Sequence, residues 1–192
     1  MATQAIDSWF TKDCVKSQAD VSDKVAEISA YYDKHHTVVD SRTCLLWNTL
    51  SAISKLEAER LQHKYNVTVK YVTGQPYDSE SAMFADIENG ILLVSTENTD
   101  HPIMSIQDTL NGRVWHDLTH YEIKSNFGFE GEVATYKRQV THVQWHYPEF
   151  VAVAKHTLYL DIVCQVASGL TYQQFPEQKA FYTAINQPSL DF

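Results

Sequence analysis

Positive charge is scarce in this sequence. Fifteen Lys and Arg stand against twenty-four Asp and Glu, a formal charge of −9. The basic residues form no cluster that could track a phosphate backbone, so no nucleic-acid partner is expected. The acids are scattered too, with no block of five or six such as a dense acidic mimic of DNA would need. Cysteine is rarer still: Cys14, Cys44 and Cys164 are odd in number, far apart and without C-x-x-C spacing. Neither a disulfide framework nor a thiolate zinc cluster is signalled, and reduced, buried thiols are expected. Eighteen consecutive apolar residues occur nowhere, and the stretch from Met1 to Asp7 has no basic or apolar leader character, so the reading is a cytoplasmic protein with no membrane partner. In that compartment the Asn66-Val67-Thr68 sequon carries no chemistry. With six glycines and five prolines, the chain also lacks repeats, low-complexity stretches and Pro/Gly/Ser linkers.

What is present suits a globular core. Hydrophobic residues make up 44% and aromatics 12% of 192 residues, enough to fold without a metal or disulfide and too much for disorder. Residues 1–192 are therefore expected to form one domain. Apolar residues at helical spacing (Val21, Val25, Ile28, Tyr32) predict a helix from Val21 to about His35, with Ser22 or Asp23 near its start. Leu46, Leu50, Ile53, Leu56 and Leu61 predict a longer one over Leu45 to Tyr65, paired with the first as a helical hairpin. Alternation at Val67, Val69 and Tyr71 predicts a strand ended by Gly74-Gln75-Pro76, and Ile91 to Val94 a second strand opened by Asn89-Gly90. Helical spacing returns from Pro102 to about Lys124, across Asn111-Gly112, and continues in helices from Phe129 to Tyr147 and from Pro148 to Ser168, with Pro148 suited to a first helical position. The fold class is α+β, mostly helical, with a small β-sheet or hairpin.

The chemistry concentrates in Arg113-Val114-Trp115-His116-Asp117-Leu118-Thr119-His120. Two imidazoles four residues apart share a helix face, about 40° apart around the axis, and can reach one ion. Downstream, Phe127-Gly128-Phe129-Glu130-Gly131-Glu132 offers two carboxylates where glycines let the chain double back, so Glu130 or Glu132 can complete the set. Two imidazoles and a carboxylate with an open position hold catalytic zinc, and also some iron(II) ions. The bound water is then acidified towards neutral pH. Asp117 holds the place of the general-base glutamate in H-E-x-x-H, one methylene shorter. A histidine pair also arises by chance when nine are present, and a buried imidazole often just meets a backbone carbonyl.

Other polar residues could contribute. Tyr136 and Gln139 follow Glu132 on one helix face, a polar stripe that implies either a water-filled pocket or a solvent-facing side. His142 and His146 repeat the four-residue spacing, but His146 is roughly 21 Å along a straight helix from Glu132. That pair either approaches His116 from another direction without Glu132 or forms a separate feature. Glu59 and His63 share a face of the second helix; with Lys64 beside them a solvated face is the plainer reading.

Strand Ile91 to Val94, a helix carrying His116-Asp117-x-x-His120, then a downstream glutamate resembles the minimal core of zincin metallopeptidases, over about a third of the chain. Asp117 departs from that family's glutamate. His116-Asp117, the second histidine, Phe127 and Gly131-Glu132 are also similar to a motif in uncharacterised tailed-bacteriophage proteins, which have one more residue between the histidines and a later His where this chain has Gln139. The first likeness implies a zinc hydrolase but supplies no substrate, which stays open as a small molecule or a peptide; the second implies a phage product in the host cytoplasm, made early in infection or packaged in the virion. A rival reading is a non-enzymatic phage factor that binds a host protein through an acidic, aromatic-rich surface, since eleven Tyr favour interfaces. A third, a di-iron bundle using Glu59, His63 and the later histidines, lacks paired E-x-x-H motifs.

Overall fold

The computed structural model describes residues 23–183 and 187–190; Cys14, Val21 and Ser22 lie outside them. Helix α1, Asp23–Lys34, buries Val25, Ile28 and Tyr32 along one face. Helix α2, Ser41–Tyr65, starts four residues earlier than its apolar stripe suggested. The Asp40 carboxylate accepts the Thr43 N–H at 2.7 Å, satisfying one of the orphan donors of the first turn. Asn66 closes the helix in the left-handed region at φ +51°. Its buried face is not the expected one throughout: Leu56 is exposed, and Trp47, Ala58 and the charged Glu57 are inside.

The two strands, β1 Thr68–Val72 and β2 Ile91–Ser95, pair in parallel with Thr68 opposite Ile91. Of the two expected forms, sheet or hairpin, the sheet is the one realised. Parallel strands need a crossover, supplied by α3, Glu80–Glu88, a short helix that periodicity did not reveal. Gly90 at φ +79° turns α3 into β2. Helix α4, Ile106–Ile123, opens with a reciprocal capping box between Ser105 and Asp108 and runs unbroken through Asn111-Gly112. Helix α5 spans Phe129–His146. Pro148 then opens a 3-10 turn, Pro148–Phe150, leading into α6 Val151–Leu158, a π-helical segment Tyr159–Cys164, and α7 Gln165–Tyr172. This last rod is long and apolar enough to cross a membrane, but most of it is buried in the fold as the core helix.

The expected α1–α2 hairpin does not form. Instead α1 lies on α7 and α2 lies on α4, while α5 packs between α4 and the last rod. The loop of Thr37 to Asp40 and the closing segment explain this: the Val38 N–H donates to Ala180 O, and Lys179 N–H donates to the Tyr32 hydroxyl, so the chain end inserts where a partner helix would have packed. Strand β2 sits against α3 and α4. The fold is thus mostly helical α+β around one hydrophobic core.

Candidate metal centre

Each side chain of the centre is placed by a local rule. His116 and His120 sit one turn apart on α4, facing α5. Helix α4 ends at Lys124 in the left-handed region, φ +53°, and Ser125 to Gly128 reverse the chain. The Asn126 side-chain oxygen accepts the Gly128 N–H at 2.9 Å. Gly131 then passes so close to this loop that an added Cβ would overlap the Asn126 carbonyl; only glycine fits. One residue on, Glu132 is aimed back at α4.

The three groups converge. His116 Nε2 is 3.0 Å from His120 Nε2, and Glu132 Oε2 lies 3.1 Å and 3.3 Å from those nitrogens. Ligands held at 2.0–2.1 Å around a tetrahedral ion are roughly 3.3 Å apart, so the triangle is already close to the size such an ion needs. His120, Glu132, Thr135 and Gln139 are buried, and the His120 ring is wholly so. Three donor atoms meet here without an apolar lining between them. The group can hold a metal ion.

A supporting layer orients the ligands. Ser125 Oγ lies 2.8 Å from His120 Nδ1 and 3.0 Å from Thr135 Oγ1, steadying one ring. His116 Nδ1 is buried with no hydrogen-bond partner among the described residues. Burial would raise the Glu132 carboxyl, but His120 and His116 overcome it and pull it down to about 2. Burial opposes charge on His116 as well, yet the facing Glu132 raises its pKa on balance. Enclosure pushes Asp117 up to about 6 against the pull of His116, His120 and Arg113, and also raises Asp161.

Two chambers meet at the triangle. A cavity of about 150 Å³ is lined by His116, Asp117 and Glu132 together with Tyr77, Val94 and Phe127. A second, of about 90 Å³, is lined by His116, Glu132, Gln139, Asp161 and Gln165. The polar stripe on α5 therefore faces a pocket rather than solvent: Glu132 and Gln139 line it, and Gln139 Oε1 is buried without a hydrogen-bond partner among the described residues. Tyr136, though buried, turns away and donates to Lys155 O at 3.2 Å.

Of the two candidate glutamates, Glu132 joins the histidines and Glu130 is exposed, because at the second helical position it points away from α4. His142 and His146 form a separate feature. His142 pairs with the buried Glu57 at 2.7 Å, and His146 stacks on His142 with ring centroids 4.2 Å apart. Glu59 and His63 face solvent. Sequence reasoning missed Arg113 and Asp161. Arg113, one turn before His116, binds the carbonyls of Ser95 at 2.7 Å, Glu97 at 2.6 Å and Asn98 at 2.8 Å, tying α4 to the end of β2. Asp161 had a signal: it is the only acid between Val151 and Tyr172. It lies within the π-helical segment, a distortion frequent at functional sites. Comparisons with protein-family models, curated proteins and solved structures find no match to this chain.

Proposed function

We propose that this protein is a metal-dependent hydrolase of zincin-like type, in which His116, His120 and Glu132 bind Zn²⁺, with Fe²⁺ the alternative ion. The observation that carries this reading is the convergence of two imidazole nitrogens and one carboxylate oxygen within 3.0–3.3 Å of one another, beside a partly open pocket. Two nitrogens and one oxygen with an open fourth position favour zinc over Mg²⁺ or Ca²⁺, which prefer all-oxygen shells. The ion supplies a Lewis acid and an acidified water.

The chain's own residues do the rest. Asp117 lines the same cavity as His116 and Glu132, where it takes a proton from the attacking water and returns it to the leaving group. Ser125 fixes the His120 ring through Nδ1. Arg113 holds the metal helix against β2, and its positive charge lowers the Asp117 carboxyl. Phe127 and Phe175 line the pocket beside the triangle, and an apolar wall there strengthens the charge interactions it borders.

Elemental analysis of untagged protein tests this directly. The parent is expected to carry about one zinc or iron per chain. The double variant His116→Ala/His120→Ala, still helical by circular dichroism, should carry none. Parent protein that stays metal-free after incubation with Zn²⁺ and Fe²⁺ overturns the reading. A second reading, a partner-binding protein acting through its aromatic surface, is favoured by Trp145, which is 79% exposed. Trp145→Ala would then abolish capture of a host protein while leaving metal content unchanged.

A further inference from the structure

Strand β2 delivers the chain to the metal helix, and its free edge is where an extended peptide would dock as an added strand. Thr68 N–H donates to Gly90 O at 2.9 Å and Thr96 N–H to Val72 O at 2.8 Å. In a parallel ladder these bonds place the even-numbered residues of β2 towards β1, so Ile91, Leu93 and Ser95 turn their backbone groups to the outer edge. That edge is already engaged at the end nearest the metal. Leu93 N–H donates to the Tyr77 hydroxyl at 2.8 Å, and Ser95 O accepts from Arg113 at 2.7 Å. The blocking segment is itself anchored: Gly74 N–H donates to the Glu97 carboxylate at 3.0 Å, and Tyr77 is buried. A peptide strand adding here would have to displace both Tyr77 and Arg113, and Arg113 is what ties the metal helix to the sheet.

The accessible space lies beside the edge, not along it. The larger chamber is partly open and measures about 150 Å³, and the apolar part of its lining is Tyr77, Met83, Val94, Phe127, Val166 and Phe175. An apolar cavity of that volume accommodates one benzene ring. We propose that the site hydrolyses a compact acyl compound carrying one apolar group about the size of a benzene ring next to its carbonyl, and not the backbone of an extended peptide. In the reaction the acyl carbon gains the hydroxyl of water while its bond to nitrogen or oxygen breaks. The water's proton passes to the leaving group, giving a carboxylic acid and an amine or alcohol. This inference rests on the metal-hydrolase reading and adds the substrate class.

Zinc-loaded full-length protein can be titrated with three chelating probes: acetohydroxamate, benzohydroxamate, and a tripeptide ending in a hydroxamate. Burying the phenyl ring should make benzohydroxamate bind roughly tenfold or more tighter than acetohydroxamate, while the tripeptide gains nothing over acetohydroxamate. Val166→Phe, which fills the chamber from the half-buried start of α7, should erase the benzohydroxamate preference and leave acetohydroxamate binding in place. Gly169→Val, filling the same chamber one turn on, provides an independent second variant should the first not fold. Equal binding of the two small probes, or tightest binding by the tripeptide, overturns the inference alone. Protein that takes up neither zinc nor iron overturns the metal reading and this inference with it.

Discussion

A histidine that binds a metal through one nitrogen is usually steadied through the other, and loss of that support typically costs ten- to a hundredfold in metal affinity. For His120 the support is Ser125. For His116 the Nδ1 atom is buried with no hydrogen-bond partner among the described residues, and the small chamber that His116 lines is also lined by Asp161, whose carboxylate accepts from Gln165 Nε2 at 3.0 Å. Asp161 is near enough for its charge to favour protonation of His116. Asp161→Ala is therefore expected to weaken zinc binding about tenfold or more, read by competition with a chromogenic chelator. Asp161→Asn, which still accepts a hydrogen bond, should recover most of it; an unchanged affinity in Asp161→Ala would remove Asp161 from the site. Gly131→Ala is expected to cost roughly 3 kcal/mol in urea unfolding, since the new methyl must displace the Asn126 carbonyl. At this scale the histidines were legible because helical spacing alone puts them on one face. The choice of Glu132 over Glu130 was not, since it depends on where the reversal at Gly128 sets the phase of α5.

Among elements, the contact between α2 and α5 runs through a charge buried where an apolar side chain would be expected. Glu57 accepts from Arg60 at 2.8 Å and from the Tyr147 hydroxyl at 3.0 Å and pairs with His142 at 2.7 Å. Burial would push its carboxyl up, but hydrogen bonds and charge from His142 and Arg60 prevail and hold it near 2. A carboxyl depressed in the folded state contributes stability above its ordinary value of 4.5, and that contribution is lost as pH falls towards 2. Urea midpoints measured from pH 5 to pH 2.5 should thus decline more steeply for the parent than for Glu57→Gln. Parallel declines would mean that the pair does not couple to folding. The helices themselves were readable from apolar spacing and caps, as the Ser105–Asp108 box illustrates. Helix α3 was not, since its nine residues bury only Met83 and Ile87, too few to set a period. The α1–α2 hairpin was misread because adjacency in sequence said nothing about the closing segment around Lys179 and Phe181, which occupies the space between.

For the molecule as a whole, the candidate metal centre joins two helices across a buried carboxylate and two imidazoles. Such a junction is costly to desolvate when empty, and an ion that binds only the folded chain stabilises it by mass action. At a hundredfold excess of free zinc over its dissociation constant the gain is about 2.7 kcal/mol. A chain of this size shifts its melting temperature by roughly 2–4 °C per kcal/mol, so zinc should raise Tm by about 5–10 °C and a chelator should reverse the rise. The double variant His116→Ala/His120→Ala should show no zinc-dependent shift at all. Because α4 also carries Arg113, which grips the end of β2, the stabilisation should spread beyond the ligands. Hydrogen exchange is expected to slow in Leu92 to Val94 as well as in α4 and α5 when zinc is added. Protection confined to α4 and α5 would mean that the sheet moves independently of the metal helix, and the closed edge at Tyr77 would then no longer restrict what reaches the site.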